Sequence, residues 1–129
     1  FNGVFLGSSN NWMYAKSYIV ELASGRNVLA VKAQDVDGIA ALIAKIETEQ
    51  GVIVSDTQWK VSTQTFDDWN TQSYDDNSWG YAAEYGAYGA LPWRSRVSGL
   101  YGSNGANWIW SDDNELHDLV YFRLVIERP

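Results

Sequence analysis

Apolar and polar residues alternate along several runs of this chain at the two-residue period of a half-buried strand. Residues 119–127 show it best: Val120, Phe122, Leu124 and Ile126 fall on one face, with Tyr121, Arg123 and Glu127 on the other. Residues 27–33 place Leu29, Val31 and Ala33 together with Lys32 opposite, and residues 18–22 place Tyr18, Val20 and Leu22 on a common face. Residues 52–55 and 58–62 read as two shorter strands. Residues 40–47 bring Leu42, Ala44 and Ile46 together, which fits a strand, although Ala, Leu, Lys and Glu also suit a helix.

Turn-forming residues punctuate these runs at short intervals. Ser24-Gly25 leads into Asn27, Asp35-Val36-Asp37-Gly38 divides two strands, and Glu49-Gln50-Gly51 divides another pair. Brief helical turns are expected at 11–15 and 78–83, the second capped by Asp76 or Asn77 with Trp79 dipping into the core. Asn2-Gly3, flanked by Phe1 and Val4-Phe5-Leu6, is the strongest hairpin-turn signal in the chain, yet one residue alone precedes it. A strand from elsewhere in the chain, from a second molecule or from a neighbouring repeat would complete that hairpin. Many short strands with regular turns predict an all-β fold, an antiparallel β-sandwich of jelly-roll type in one domain spanning 1–129.

The middle of the chain breaks the alternation. Residues 63–107 are rich in Gly, Ser, Asn, Asp, Trp and Tyr and poor in aliphatic residues, which predicts long aromatic-rich loops over one edge of the sandwich. The chain holds seven Trp, eight Tyr and four Phe in 129 residues, more than a core of this size readily absorbs. With 46% hydrophobic and 19% charged residues it can bury a core. The net charge is −7 and the nine Lys and Arg do not cluster, which argues against nucleic acid and anionic membranes as partners. No apolar run approaches the ~20 residues of a membrane-spanning helix.

Chemistry is narrowly bounded. There is no Cys, so thiolate catalysis and Cys metal sites are excluded, and the single His117 rules out a multi-His metal site in one chain. His117, in an acidic stretch, reads as an ordinary turn residue; no Gly-x-Ser-x-Gly elbow is present to supply a nucleophile. Acidic pairs occur at Asp35/Asp37, Asp67/Asp68, Asp75/Asp76 and Asp112/Asp113. Asp35-x-Asp37-Gly38 is the candidate for a structural calcium, with an ordinary turn as the plainer reading. Nothing points to a catalytic carboxylate pair, and no enzymatic activity is expected.

Several indoles sit among polar residues, an arrangement suited to a sugar ring: the aromatic face meets C–H groups while neighbouring amides and guanidinium groups meet hydroxyls. Trp12, after Asn10 and Asn11, is one candidate platform, with capping of the sandwich as its alternative. Trp93 is the other, in a Gly- and Pro-containing loop with Tyr88, Arg94 and Arg96, and with Tyr85 and Tyr101 to widen it. Its alternative is packing over the sandwich end. Trp59, Trp79, Trp108 and Trp110 are assigned to the core.

The order of these features resembles a known family. Asn2-Gly3, Gly7 and Asn11-Trp12 are followed by Gly25-Arg26-Asn27-Val28-Leu29-Ala30-Val31-Lys32-Ala33 and by Gly38-Ile39-Ala40-Ala41-Leu42-Ile43-Ala44. Then come Ser55-Asp56 with Trp59-Lys60-Val61-Ser62, Trp69-Asn70 with Tyr74-Asp75-Asp76-Asn77-Ser78-Trp79, and Trp108-Ile109-Trp110-Ser111 with Val120-Tyr121-Phe122-Arg123. Together they resemble galactose-binding-domain-like β-sandwiches, the jelly rolls found as accessory modules of bacterial glycosidases and in lectins. In enzyme-attached relatives the Trp-Ile-Trp segment precedes the Asn-Gly turn; here it comes last, the order of a permuted unit or one cut from a longer chain. The resemblance implies non-catalytic carbohydrate binding outside the cell, with galactose-like sugars as the first expectation. A structural or adhesion module, which associates with copies of itself or with neighbouring domains, is the alternative.

Overall fold

The computed structural model describes residues 1–100 and 105–129, and among these the regular structure is all-β, with antiparallel sheets and no helix. The strands are β1 (Gly25–Gln34), β2 (Lys45–Thr48), β3 (Gly51–Val54), β4 (Lys60–Ser62), β5 (Gly80–Tyr81), β6 (Ala83–Ala87), β7 (Asn107–Trp110) and β8 (Leu119–Arg128). Four form one sheet in the order β1-β8-β4-β5. Two hairpins, β2-β3 and β6-β7, face it and are joined by a bridge between Leu42 and Ile109.

The long alternating run is the central strand. β8 pairs with β1 over ten residues, opposing Leu29 to Leu124, Val31 to Phe122 and Ala33 to Val120, so the apolar faces of both strands point the same way. β4 adds Val61 opposite Phe122. Val120, Phe122, Leu124 and Ile126 are buried against Trp59, Ile109 and Trp110, with Ile46 and Ile53 packed at the margin. Residues from both layers thus share one core, an arrangement compatible with a β-sandwich. Trp59 is anchored by its indole N–H donating to the Val54 carbonyl at 3.0 Å, and its ring meets Phe122 edge-on.

Two small polar side chains close the corners. Asn27, fully buried, accepts from the Ala23 amide and donates to the Ala23, Gly25 and Ile126 carbonyls, fixing the entry to β1. Ser55, also fully buried, accepts from the Ala44 amide and donates to the Asn107 carbonyl, tying the end of β3 to β7. Each supplies backbone groups at a strand end with a side-chain partner.

Three expected elements differ. Residues 18–22 form no strand; among the described residues only the Leu22 carbonyl of this segment has a hydrogen-bond partner, the Arg128 side chain. Residues 11–15 form one turn, with the Tyr14 amide bonded to the Asn11 carbonyl, and then bridge to Ser98 rather than coil further. In place of a helix at 78–83 the chain turns at Asp76–Trp79 and extends into β5 and β6, since β4 offers a free edge to Gly80 and Tyr81. The Asp76 carboxylate, expected as a cap, is taken by Arg123.

Candidate functional site

Three tryptophans form a ladder that runs from the interior to the surface. Trp108 on β7 is buried and stacks on Trp93 with ring centres 4.8 Å apart and planes at 23°. The edge of Trp12 meets Trp108 at 6.3 Å and 73°. Trp12 itself is 48% exposed, so one indole is held by another and still presents area to solvent. The loop that carries it is fixed by reciprocal backbone bonds, Ala15 N–H to the Ser98 carbonyl and Ser98 N–H to the Met13 carbonyl. The Asn11 side chain accepts from the Met13 amide at 3.1 Å and sets the turn beneath Trp12.

The residues that flank Trp12 in the chain line an open groove of about 460 Å³, formed by Ser8, Ser9, Asn10, Asn11, Tyr14 and Lys16. Its walls offer hydroxyl, amide and ammonium groups, and Tyr14 is 61% exposed. A second open groove of about 450 Å³ lies near β1, lined by Arg26, Gln72, Ser73, Tyr74, Asp75, Asp76 and Asn77.

The expected site residues divide. Asn11 lines the first groove and Trp12 stands next to it in the chain. Trp93 does not present a face: it is 7% exposed and packs with Val97 and Trp108 in a second core cluster, which takes its expected role as a solvent-facing platform from it. The Tyr88 hydroxyl is engaged across the same loop, donating to the Val97 carbonyl at 3.3 Å and accepting from the Val97 amide at 3.2 Å. Arg94 and Arg96 are exposed on that loop, Arg94 with a φ of 57°. Tyr85 is held by a 2.6 Å bond to the Ser111 carbonyl, and burial pushes its phenol above the ordinary range. Tyr101 lies outside the described residues. At Asp35 and Asp37 no third acidic or imidazole group assembles among the described residues.

The structure also contains a centre that the sequence pattern did not disclose. Arg123 sits mid-strand on the face of β8 opposite the core, yet it is fully buried beneath the loop 69–77. Its guanidinium donates to the Asp76 carboxylate at 2.9 Å and to the carbonyls of Trp69, Thr71 and Tyr74. Trp69 and Trp79 stack at 6.2 Å, and the Tyr74 ring lies 5.1 Å from the guanidinium carbon. A rigid fork of donors matches such a ring of carbonyls, which an ammonium could not do. The one available signal was the density of Asp and Trp at 67–79 together with a cation in an alternating strand; alternation alone places that cation in solvent.

His117 is a turn residue, as its sequence context suggested. Its Nδ1 lies 2.7 Å from Ser111 Oγ and 3.8 Å from the Asp112 carboxylate. Both neighbours address the same nitrogen, so no Ser–His–acid relay, which needs the acid on the second nitrogen, is formed. Asp113 caps this turn through bonds from the Leu116 and Glu115 amides, which hold its carboxyl below the ordinary value. Comparison of the chain with protein-family models, with curated proteins and with solved structures finds no match.

Proposed function

We propose that this protein is a non-catalytic carbohydrate-binding module whose site is the groove of the 8–16 loop, in the manner of galactose-binding-domain-like jelly rolls acting outside the cell. The observation that carries the reading is the half-exposed Trp12, held edge-on by buried Trp108 and flanked in the chain by the amides, hydroxyls and exposed Tyr14 that line a groove. Trp12 and Tyr14 supply faces for C–H groups, and Asn10, Asn11 and Lys16 supply partners for hydroxyls. A shallow open groove with two such faces binds weakly, since each stacking contact contributes on the order of 1 kcal/mol. Useful affinity then depends on several copies engaging together.

A glycan array probed with the 129-residue chain tests this. A specific hit that Trp12→Ala and Tyr14→Ala each weaken, with the fold retained, supports the site. A blank array from folded protein sinks the sugar reading. A hit insensitive to both substitutions but lost on Asn77→Ala moves the sugar to the second groove. The second reading, a structural or adhesion module, is favoured by a separate observation: nine of the sixteen exposed large apolar side chains among the described residues lie within residues 4–20.

A further inference from the structure

Charge is spread unevenly along this chain. All sixteen Asp and Glu lie outside residues 1–20 and 85–111, and those two stretches hold three of the nine cations, Lys16, Arg94 and Arg96. Far apart in sequence, the two stretches are joined in the fold. The Ala15 amide donates to the Ser98 carbonyl at 2.8 Å and the Ser98 amide to the Met13 carbonyl at 2.7 Å, so Tyr14 and Ser98 form a parallel bridge. Trp12 from the first stretch and Trp93 from the second meet on Trp108. The tertiary structure thus gathers the acid-free parts of an anionic molecule into one pole.

The groove of residues 8–16 belongs to this pole. Of the side chains that line it, Lys16 alone is charged. Tyr14, also in its wall, is the bridge partner of Ser98, and Arg96 stands two residues before that serine. Lys16, Arg94 and Arg96 are exposed, and none has an ion-pair partner among the described residues. Lys45, Lys60 and Arg123, by contrast, are paired with Glu47 or Asp76. The second groove has the opposite character, with Asp75 and Asp76 in its walls against Arg26. Exposed charges further apart than the Debye length, about 10 Å at 0.1 M salt, scarcely feel one another, so the local sign outweighs the net charge of the chain.

We infer that the 8–16 groove takes an acidic glycan, a sugar bearing a carboxylate or sulfate, in preference to its neutral counterpart. The inference rests on the carbohydrate reading above and names its substrate class. Lys16 contributes an ammonium in the groove wall, and Arg94 and Arg96, on the loop that Ser98 ties to the groove, offer planar forks of donors to an oxyanion. Trp12 and Tyr14 keep their part as faces for C–H groups. Each exposed charge pair is worth a factor of about 1.5 to 5, so three together favour the acidic sugar by roughly tenfold at low salt. Three spaced cations fall short of the dense basic stripe that a nucleic-acid backbone needs. They suit a ligand whose charges are spaced one to a sugar.

The test is a glycan array in which each oligosaccharide backbone is printed in three forms: neutral, oxidised to a carboxylate at C6, and sulfated at C6. The full chain is the probe, and NMR titration of the best backbone, followed at the Trp12 indole N–H, supplies affinities. The expected result is roughly tenfold tighter binding of an acidic form at low salt, falling to about twofold or less near 1 M salt, where the Debye length is about 3 Å. A gain for the carboxylate alone, the sulfate alone or both supports the inference and names the anionic group. Lys16→Gln with Arg96→Gln should remove most of the preference. Lys32→Gln, which makes the net charge more negative on exposed β1, should leave it intact. Equal loss in Lys32→Gln and Lys16→Gln overturns the inference, because net charge would then be the cause. Equal binding of neutral and acidic forms also overturns it and leaves the sugar reading standing. A blank on all three forms from folded protein sinks both.

Discussion

Two tryptophan clusters in this molecule use the same residue type to opposite ends. Around Arg123, Trp69 and Trp79 stack with Tyr74 and Tyr121 at their edges, and the polar centre beneath is filled by the chain's own guanidinium. Around Trp108, Trp93 stacks from inside and Trp12 abuts from outside, and the Trp108 indole N–H, though buried, has no partner among the described residues. The first cluster is complete and sealed. The second ends in a half-exposed ring whose chain neighbours line a polar groove. An aromatic-rich loop is therefore no sign of a binding site by itself; what matters is whether the chain already supplies the polar partner.

The largest effect that would break this contrast is at Arg123. Arg123→Met leaves Asp76 with Lys60 alone, 3.9 Å away, and the Trp69 and Tyr74 carbonyls unmet under the loop, and loss of one partner of a buried pair costs about 3–5 kcal/mol. Thermal unfolding should shift down by roughly 10 °C or more. If the shift is only a degree or two, the cluster is not sealed as described.

A paired substitution sharpens the comparison. Trp59→Phe removes a hydrogen bond and leaves the Val54 carbonyl unmet, whereas Trp108→Phe removes an indole N–H with no partner among the described residues. With similar volume lost, denaturant unfolding should show Trp59→Phe the more destabilising by about 1–3 kcal/mol. Equal costs would mean that the Trp108 N–H is satisfied in solution. Next in size, Trp12→Ala should weaken glycan binding about fivefold, the worth of one stacking contact, with a stability change under ~1 kcal/mol, because the ring is already half in water. Titration calorimetry on an array hit reads the first quantity and denaturant unfolding the second.

The smallest expected effect concerns pH. The Asp113 carboxyl is held below its ordinary 3.8 by two backbone amides in the folded state. A depressed folded value stabilises the turn above the unfolded value, and that contribution is lost as pH falls through the folded one. Acid unfolding curves should therefore show Asp113→Asn less sensitive than the parent chain only below pH 3.8. A difference at neutral pH with no change in acid slope would assign the effect to the hydrogen bonds alone.

Much of the architecture was legible in one dimension because period-two alternation states which face of a strand is buried. That is how 119–127 and 27–33 were placed, and why Val120, Phe122, Leu124 and Ile126 line the core. The turn at Asn2-Gly3 was equally local, since positive φ is a property of those two residues. Of the candidate groove, Asn11 was legible as an amide beside an indole. Trp93 was assigned a solvent face because its neighbours are Gly, Pro and Arg, but it is Trp108, distant in sequence, that draws it inward.

By itself, then, the sequence determined the two long strands β1 and β8 with their buried faces, the turn at Asn2-Gly3 and the absence of thiol chemistry, all consequences of local periodicity and composition. Only the tertiary structure decided which tryptophan meets solvent and which polar group meets Arg123. Those outcomes depend on segments 47 residues apart for Asp76 and Arg123, and further still for Trp12 and Trp108. No local pattern encodes such a meeting, because it exists only once the loop 69–77 has closed over β8.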